Sequence, residues 1–172
     1  MTRRLHILLL VALAGLVASI AYAGGRDGDS SQAWISIERT ACYGTCPQFA
    51  LRITSDGKVV YDGKRFVMRR GAQERRLQPA EVARLRRAVD QSGFARLEIH
   101  CCDCVTKTDA PSTLIDIADQ NGVRSIRHYH GCSSAPESLS VLEESIISLS
   151  GAAKWIGSEA ERDRQKWTRN SR

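Results

Sequence analysis

The chain has 172 residues and a formal net charge of +6, enough length for one domain with a hydrophobic core. Its basic residues are scattered, whereas a nucleic-acid groove needs a concentrated basic stripe with stacking aromatics. We therefore predict no nucleic-acid partner.

The N-terminus has the pattern of a secretory signal peptide. A short basic stretch, Thr2-Arg3-Arg4, precedes the apolar run Leu5–Ile20, and Ala21-Tyr22-Ala23 supplies the small side chains that signal peptidase requires. An uncleaved membrane anchor is the alternative, but the run is shorter than the roughly 20 residues of a span and no positive flank follows it. We expect residues 1–23 to be cleaved after Ala23, leaving a periplasmic or secreted protein without a stable membrane span.

The remaining sequence divides into three parts. Residues 24–32 are polar and glycine-rich and predict a flexible leader. Residues 33–157 predict a single domain. Residues 158–172 form a charged C-terminal tail, either a loose helix or a disordered segment. Without the signal peptide the chain has 23 basic and 19 acidic side chains, so it is only weakly basic.

Alternating apolar residues predict the first strands. Ala33–Arg39 alternates, and so does the stretch containing Phe49, Leu51 and Ile53. The turn Ser55-Asp56-Gly57 then leads into a strand at Lys58–Tyr61, because an Asp-Gly pair tolerates the positive φ of a hairpin turn. We expect Asp62-Gly63 to make a second turn, leading into a strand around Arg65–Arg70.

The spacing of apolar residues then changes to that of a helix. Leu77, Val82, Leu85 and Val89 recur at this spacing, with Pro79 in the first turn. The opposite face of this helix is basic, which favours a solvated surface over binding to membranes or acidic partners.

A hairpin and a second helix follow. Thr113–Ala118 and Val123–His130 predict two strands joined by a turn at Gln120-Asn121-Gly122. Ser134 and Glu137 have the spacing of a capping box. The helix that this pair would start has an apolar stripe made of Leu139, Leu142, Ile146 and Leu149. We expect Trp155 and Ile156, which follow it, to close the core. The predicted fold is α+β, a small antiparallel sheet with two helices packed on one face, stabilised by disulfides.

Two of the six cysteines, Cys42 and Cys46, lie in one short loop. Thioredoxin-type chemistry uses two intervening residues at a helix N-terminus, whereas here three intervene and an extended strand follows Pro47. Gly44 and Pro47 suit a tight loop. A structural disulfide between Cys42 and Cys46 is therefore favoured over a redox centre or a metal clip.

The other four cysteines lie near three histidines, in the segments His100–Cys104 and His128–Cys132. Neighbouring Cys101 and Cys102 would form only a strained ring, so Cys102 or Cys104 is the better disulfide partner of Cys132. The alternative is a zinc or copper site built from His100, Cys101, His128 and His130, because residues two apart on a strand share a face. Standard zinc-finger spacing is absent, so our first interpretation includes no metal and no cofactor.

Four motifs resemble a bacterial secreted family, domain of unknown function number 6438. They are the Arg-Thr-x-Cys-x-Gly-x-Cys-Pro stretch at Arg39–Pro47, Asp56-Gly57 followed by Tyr61–Gly63, Thr108–Pro111, and His128–Gly131. The resemblance covers roughly Trp34 to Trp155 and implies an α+β fold, with no established activity, ligand or catalytic residue. Cys101-Cys102-Asp103 departs from the simpler pattern of that family.

No common catalytic motif occurs in the sequence, although Asp109 and Asp116 have side chains capable of acid–base chemistry. We predict an exported, disulfide-stabilised, non-catalytic binding or structural module of the cell envelope, whose partner is an envelope protein or a small ligand. The alternative is a thiol or metal module built on Cys101–Cys104 with His128 and His130. An enzyme of unrecognised type is the third class.

Overall fold

A computed structural model describes residues 33–99 and 108–170, with side chains described as far as residue 164. The predicted signal peptide and leader lie outside the described residues, as does the segment 100–107. Six strands form one antiparallel sheet in the order β4-β3-β2-β1-β5-β6. Their bounds are β1 Ala33–Arg39, β2 Gln48–Thr54, β3 Lys58–Arg65, β4 Gly71–Arg76, β5 Ser112–Asp119 and β6 Gly122–Tyr129.

One face of the sheet forms the core. Ile37 of β1 pairs with Leu51 on one side and Ile115 on the other, and these paired residues point to the same face, where all are buried. The opposite face is polar, with an ion pair of 2.6 Å between Lys64 and Glu38. The predicted α+β fold is therefore confirmed.

Helices supply the second layer over this face. Their bounds are α1 Pro79–Ser92, α2 Glu137–Leu149, α3 Ala153–Ile156 and α4 Glu159–Asn170, with a 3₁₀ turn at Phe94–Arg96. The first helix starts as predicted with Pro79, and the Gln78 amide donates to the Glu81 carboxylate at 2.8 Å. The buried side chains that α1 and α2 contribute to the core include Leu85, Leu139, Leu142 and Ile146. Within the described ranges, none of the helices combines the length and the hydropathy that a membrane span requires.

The predicted capping role of Ser134 is wrong. Pro136 occupies the N-cap position in an extended conformation, and α2 begins at Glu137 without a side-chain cap. Ser134 therefore lies too far before the helix, and its hydroxyl lies 3.3 Å from the Cys132 sulfur instead.

The predicted turn at Asp62-Gly63 and the strand around Arg65–Arg70 are also wrong. β3 continues through both residues to Arg65, and the chain turns over residues 66–70 before β4. Gly63 is required by close packing, because a Cβ there would collide with the Arg69 carbonyl oxygen and lie 3.0 Å from the Tyr61 ring. An Asp-Gly pair is compatible with a turn and also with a crowded strand. At Asp62-Gly63 the pair lies in a strand, and close packing is the reason for the glycine.

Trp155 and Ile156 close the core as predicted, and both are buried. The Trp155 ring packs against Tyr61 with 5.4 Å between centroids. The amides of Met68 and Arg69 donate to the carbonyls of Ile156 and Trp155 at 3.1 and 2.8 Å. The segment after α2 is thus joined to the turn between β3 and β4.

Candidate functional site

The loop between β1 and β2 is closed by a disulfide between Cys42 and Cys46, whose Cα atoms are 5.8 Å apart. The Tyr43 amide donates to the Asp109 carbonyl at 3.0 Å, which joins the loop to the segment before β5. Tyr43 is 91% exposed. A disulfide of this kind forms and persists in an oxidising environment.

The second cysteine group is described only at Cys132, which is also disulfide-bonded. Cys102 and Cys104, the partners predicted for it, lie outside the described residues, as do His100 and Cys101 of the alternative metal site. Their pairing and their ligand role remain predictions.

His128 and His130 lie together on the buried face, at the end of β6. His128 pairs with Thr113 of β5, and Thr113 pairs with Arg39 of β1, so these three residues form one row across three strands. The two imidazole rings have centroids 4.3 Å apart. The row faces Glu143 of α2, and we call Arg39, Thr113, His128, His130 and Glu143 the Glu143 cluster.

The carboxylate of Glu143 is the centre of this cluster and is 2% exposed. Its Oε1 lies 2.6 Å from His128 Nδ1, and its Oε2 accepts from Thr113 Oγ1 and Arg39 Nη2, each at 3.0 Å. His130 Nε2 lies 2.7 Å from the Thr113 hydroxyl and 3.4 Å from Oε2.

The direction of each hydrogen bond in the cluster follows from proton counting. An ionised carboxylate only accepts, so His128 donates from Nδ1. The single hydroxyl proton of Thr113 is donated to Glu143, so His130 must donate from Nε2 to the Thr113 oxygen. The tautomers of both histidines are therefore assigned by the hydrogen-bond pattern.

The cluster also balances its charges. Burial raises the pKa of the Glu143 carboxyl, but the hydrogen bond from His128, the nearby His130 imidazole and the positive charge of Arg39 lower it more, to about 2. Burial lowers the pKa of Arg39, and the Glu143 carboxylate opposes that effect. A carboxylate and a guanidinium therefore compensate one another inside the protein.

The family model for Domain of unknown function (DUF6438) matches residues 33–150. The chain belongs to this family. The matched residues include both the Cys42–Cys46 loop and the whole Glu143 cluster. No curated protein matches the chain.

In this DUF6438 domain the structure brings together two of the four predicted metal ligands, His128 and His130, and adds Glu143. One ligand atom from each of these three residues lies within 4.8 Å of the others. Sequence reasoning missed Glu143, although its position carries a signal. It lies four residues after Leu139 and three before Ile146, so it belongs to the apolar stripe of α2, where a carboxylate needs a buried partner.

The two aspartates with possible acid–base roles lie outside the cluster. Asp116 of the DUF6438 domain accepts from Ser125 at 2.6 Å on the polar face of the sheet. Asp109 is exposed, with a positive φ of 62° at the turn before β5. Neither residue approaches Glu143 through a described contact.

A separate surface cleft of the DUF6438 domain lies at the other end of the sheet, near the start of β1 and the tip of the β5–β6 hairpin. The Arg86 guanidinium lies 4.8 Å from the Trp34 ring centroid, and Arg124 donates to the Leu97 carbonyl. Asp90 and Asp119 add acidic groups to the lining. Arg96, Gln120 and Asn121 also line the cleft.

Proposed function

We propose that this chain is an exported, disulfide-stabilised, non-catalytic binding module of the cell envelope, and that the Cys42–Cys46 loop contacts its partner. The observation that carries this proposal is the 91% exposure of Tyr43 inside a covalently closed loop. Tyrosine is enriched among the residues that dominate protein interfaces. A loop fixed before binding also loses less conformational entropy when the partner docks.

The geometry of the loop favours a protein over a small ligand as the partner. Small molecules bind in concave sites, whereas Tyr43 projects into solvent. The bond from its amide to Asp109 holds the backbone of the loop at a second point. We therefore propose an envelope protein that offers an apolar pocket to an aromatic side chain.

The Glu143 cluster supports the non-catalytic part of the proposal. Glu143 and His128 are 2% and 4% exposed at the side chain, and the Glu143 carboxylate bonds to His128, Thr113 and Arg39. In this arrangement the carboxylate does not meet a substrate. In this hydrogen-bonded state the cluster acts as a polar part of the core that holds α2 against three strands.

Export is supported by the disulfide together with the signal-peptide pattern of residues 1–23. The full chain would be expressed and fractionated, and each fraction alkylated under native conditions before measurement of intact mass with and without reduction. We expect the envelope or the medium to contain protein that begins at Gly24, with Cys42 and Cys46 unlabelled until reduction. Cytoplasmic protein with its leader intact and both thiols labelled would contradict the proposal.

Binding would be tested by cross-linking the wild type and two alanine variants to an envelope fraction. Tyr43→Ala removes the exposed ring, and Val123→Ala is the matched control at a side chain that is 61% exposed on β6. We expect the wild type and V123A to capture the same protein and Y43A to lose it, with equal melting temperatures. Equal capture by Y43A would contradict the proposed contact.

A further inference from the structure

We infer that the Glu143 cluster is a binding site for a divalent transition-metal ion, with His128, His130 and Glu143 as its ligands. This goes beyond the binding surface at Tyr43, and neither proposal depends on the other. Two strand-end histidines and a helix carboxylate place three ligand atoms within 4.8 Å of one another. His128 lies in β6, His130 directly follows that strand, and Glu143 lies in α2. The packing of α2 on the sheet therefore brings the three ligands together.

The ligand set indicates the kind of ion. Imidazole nitrogens with one carboxylate oxygen are typical of zinc and its neighbours among the transition metals. Calcium and magnesium prefer oxygen ligands alone. Zn²⁺ is therefore the appropriate probe, with Mg²⁺ as the control ion.

The ligand atoms must rearrange to bind such an ion, since the three lie within 4.8 Å of one another. A tetrahedral ion with bonds of about 2.0–2.1 Å separates its ligand atoms by about 3.3–3.4 Å. His130 Nε2 and Glu143 Oε2 are already 3.4 Å apart. His128 Nδ1 and Glu143 Oε1 are hydrogen-bonded at 2.6 Å, so this pair must open by about 0.7 Å.

The ring tautomers of the two histidines can follow the metal. In the metal-free protein His128 donates from Nδ1 and His130 from Nε2. On binding, each imidazole carries its proton on the other ring nitrogen and gives the lone pair of the first to the ion.

Entry to the site is from the side of His130, whose side chain is 26% exposed, whereas those of His128 and Glu143 are buried. Three protein ligands leave one tetrahedral position for water or a small anion, as in zinc sites that remain open. Of the three ligands, His130 is therefore the one that lies nearest to solvent.

A substitution at Arg39 can distinguish a metal site from a purely structural cluster. Its guanidinium lies 3.0 Å from Glu143 Oε2, where it holds the carboxylate in the metal-free state and repels an incoming cation. Arg39→Gln keeps a polar side chain but removes the charge. Metal affinity should therefore rise in this variant even though the folded state loses an ion pair.

Zn²⁺ and Mg²⁺ would each be titrated calorimetrically into the chelator-treated full chain. We expect one Zn²⁺ per chain and no Mg²⁺ binding, with affinity for Zn²⁺ about tenfold higher in R39Q and at least about tenfold lower in H128Q and H130Q. Glu144→Gln, an exposed neighbour on α2, is the matched control and should leave the affinity unchanged.

The absorption spectrum of the Co²⁺-loaded wild type gives an independent measurement that does not depend on a variant folding. Nitrogen and oxygen ligands predict weak tetrahedral d–d bands without a thiolate charge-transfer band. A strong thiolate band would overturn the assignment in favour of cysteine ligands. The assignment would also be overturned if neither the wild type nor R39Q bound Zn²⁺. It would equally be overturned if the folded variant H128Q/H130Q still bound Zn²⁺.

Discussion

Glu143 is a charged side chain in the hydrophobic layer between α2 and the sheet. Transfer of a carboxylate from water to a protein interior costs several kcal/mol unless hydrogen bonds and an opposite charge compensate it. Here the hydrogen bonds come from His128, Thr113 and Arg39, and the Arg39 guanidinium, 18% exposed at the side chain, supplies the charge. The stability of the cluster therefore depends on the ionised form of Glu143.

Glu143→Gln tests that dependence because it keeps the shape and removes the charge. The Arg39 guanidinium would remain largely buried without its counter-ion, so we expect the free energy of unfolding to fall by about 2–4 kcal/mol. Urea denaturation with a chelator present measures this value. Glu144→Gln, at the next and exposed position, should change it by less than about 0.5 kcal/mol. Equal values for the two variants would contradict the role of the buried charge.

The same carboxylate predicts a pH dependence of stability. Its pKa is about 2 in the folded protein against an ordinary value of 4.5, because the cluster's donors and positive groups outweigh its burial. A lowered folded-state pKa contributes stability that is complete above the ordinary value and is lost as pH falls toward 2. The groups facing Glu143 are Arg39 from β1, Thr113 from β5, and His128 and His130 at the end of β6.

Urea midpoints of the metal-free protein between about pH 5 and about pH 2.5 would measure this dependence. We expect the wild type to lose stability more steeply than E143Q across that interval, because only the wild type takes up the additional proton at this position. Parallel curves for the two proteins would show that another group controls the acid response.

At the scale of elements, local patterns in the sequence predicted most of the sheet and both main helices. Alternation defined β1 and β2, and Asn121-Gly122 marked the β5–β6 hairpin, since these signals depend on neighbouring residues. The misplaced strand after Gly63 has a different cause. The packing of the 66–70 turn over β3 is not visible in local periodicity, so a glycine needed for space was interpreted as a turn residue.

Gly63→Ala tests whether close packing explains that glycine. The added Cβ would collide with the Arg69 carbonyl and displace the backbone of the 66–70 turn, so we expect a loss of about 1–3 kcal/mol in urea denaturation. Asp62→Ala, at the exposed neighbouring position, is the control and should change stability by less than about 0.5 kcal/mol. Unchanged stability of G63A would contradict the packing explanation.

At the scale of the molecule, strand order explains why the site was only half predicted. His128 and His130 are two residues apart, so their shared face follows from the pleat of one strand. Arg39 and Thr113 join them only because β1 pairs with β5, a contact between segments distant in the chain. Glu143 joins them because α2 packs on the sheet. Sequence periodicity predicts the apolar stripe of α2, but it does not identify the strand residues that this stripe contacts.

The extent of the folded unit gives the last prediction. The family match ends at residue 150, yet Trp155 and Ile156 are buried and bond to the backbone of Met68 and Arg69. In contrast, the described polar contacts of α4 are local, such as that of Arg162 with the Gly157 carbonyl and those between Ser158 and Glu161.

Chains that begin at residue 24 and end at residues 172, 157 and 150 would therefore differ in thermal stability. We expect the chain ending at 157 to melt within a few degrees of the longest one. The chain ending at 150 should melt far lower or fail to fold, since removing two large buried side chains costs several kcal/mol. Thermal melts followed by circular dichroism measure the difference. Equal melting temperatures for the chains ending at 150 and 157 would show that the core closes without Trp155. A much lower melting temperature after removal of residues 158–172 would show that α4 belongs to the folded unit.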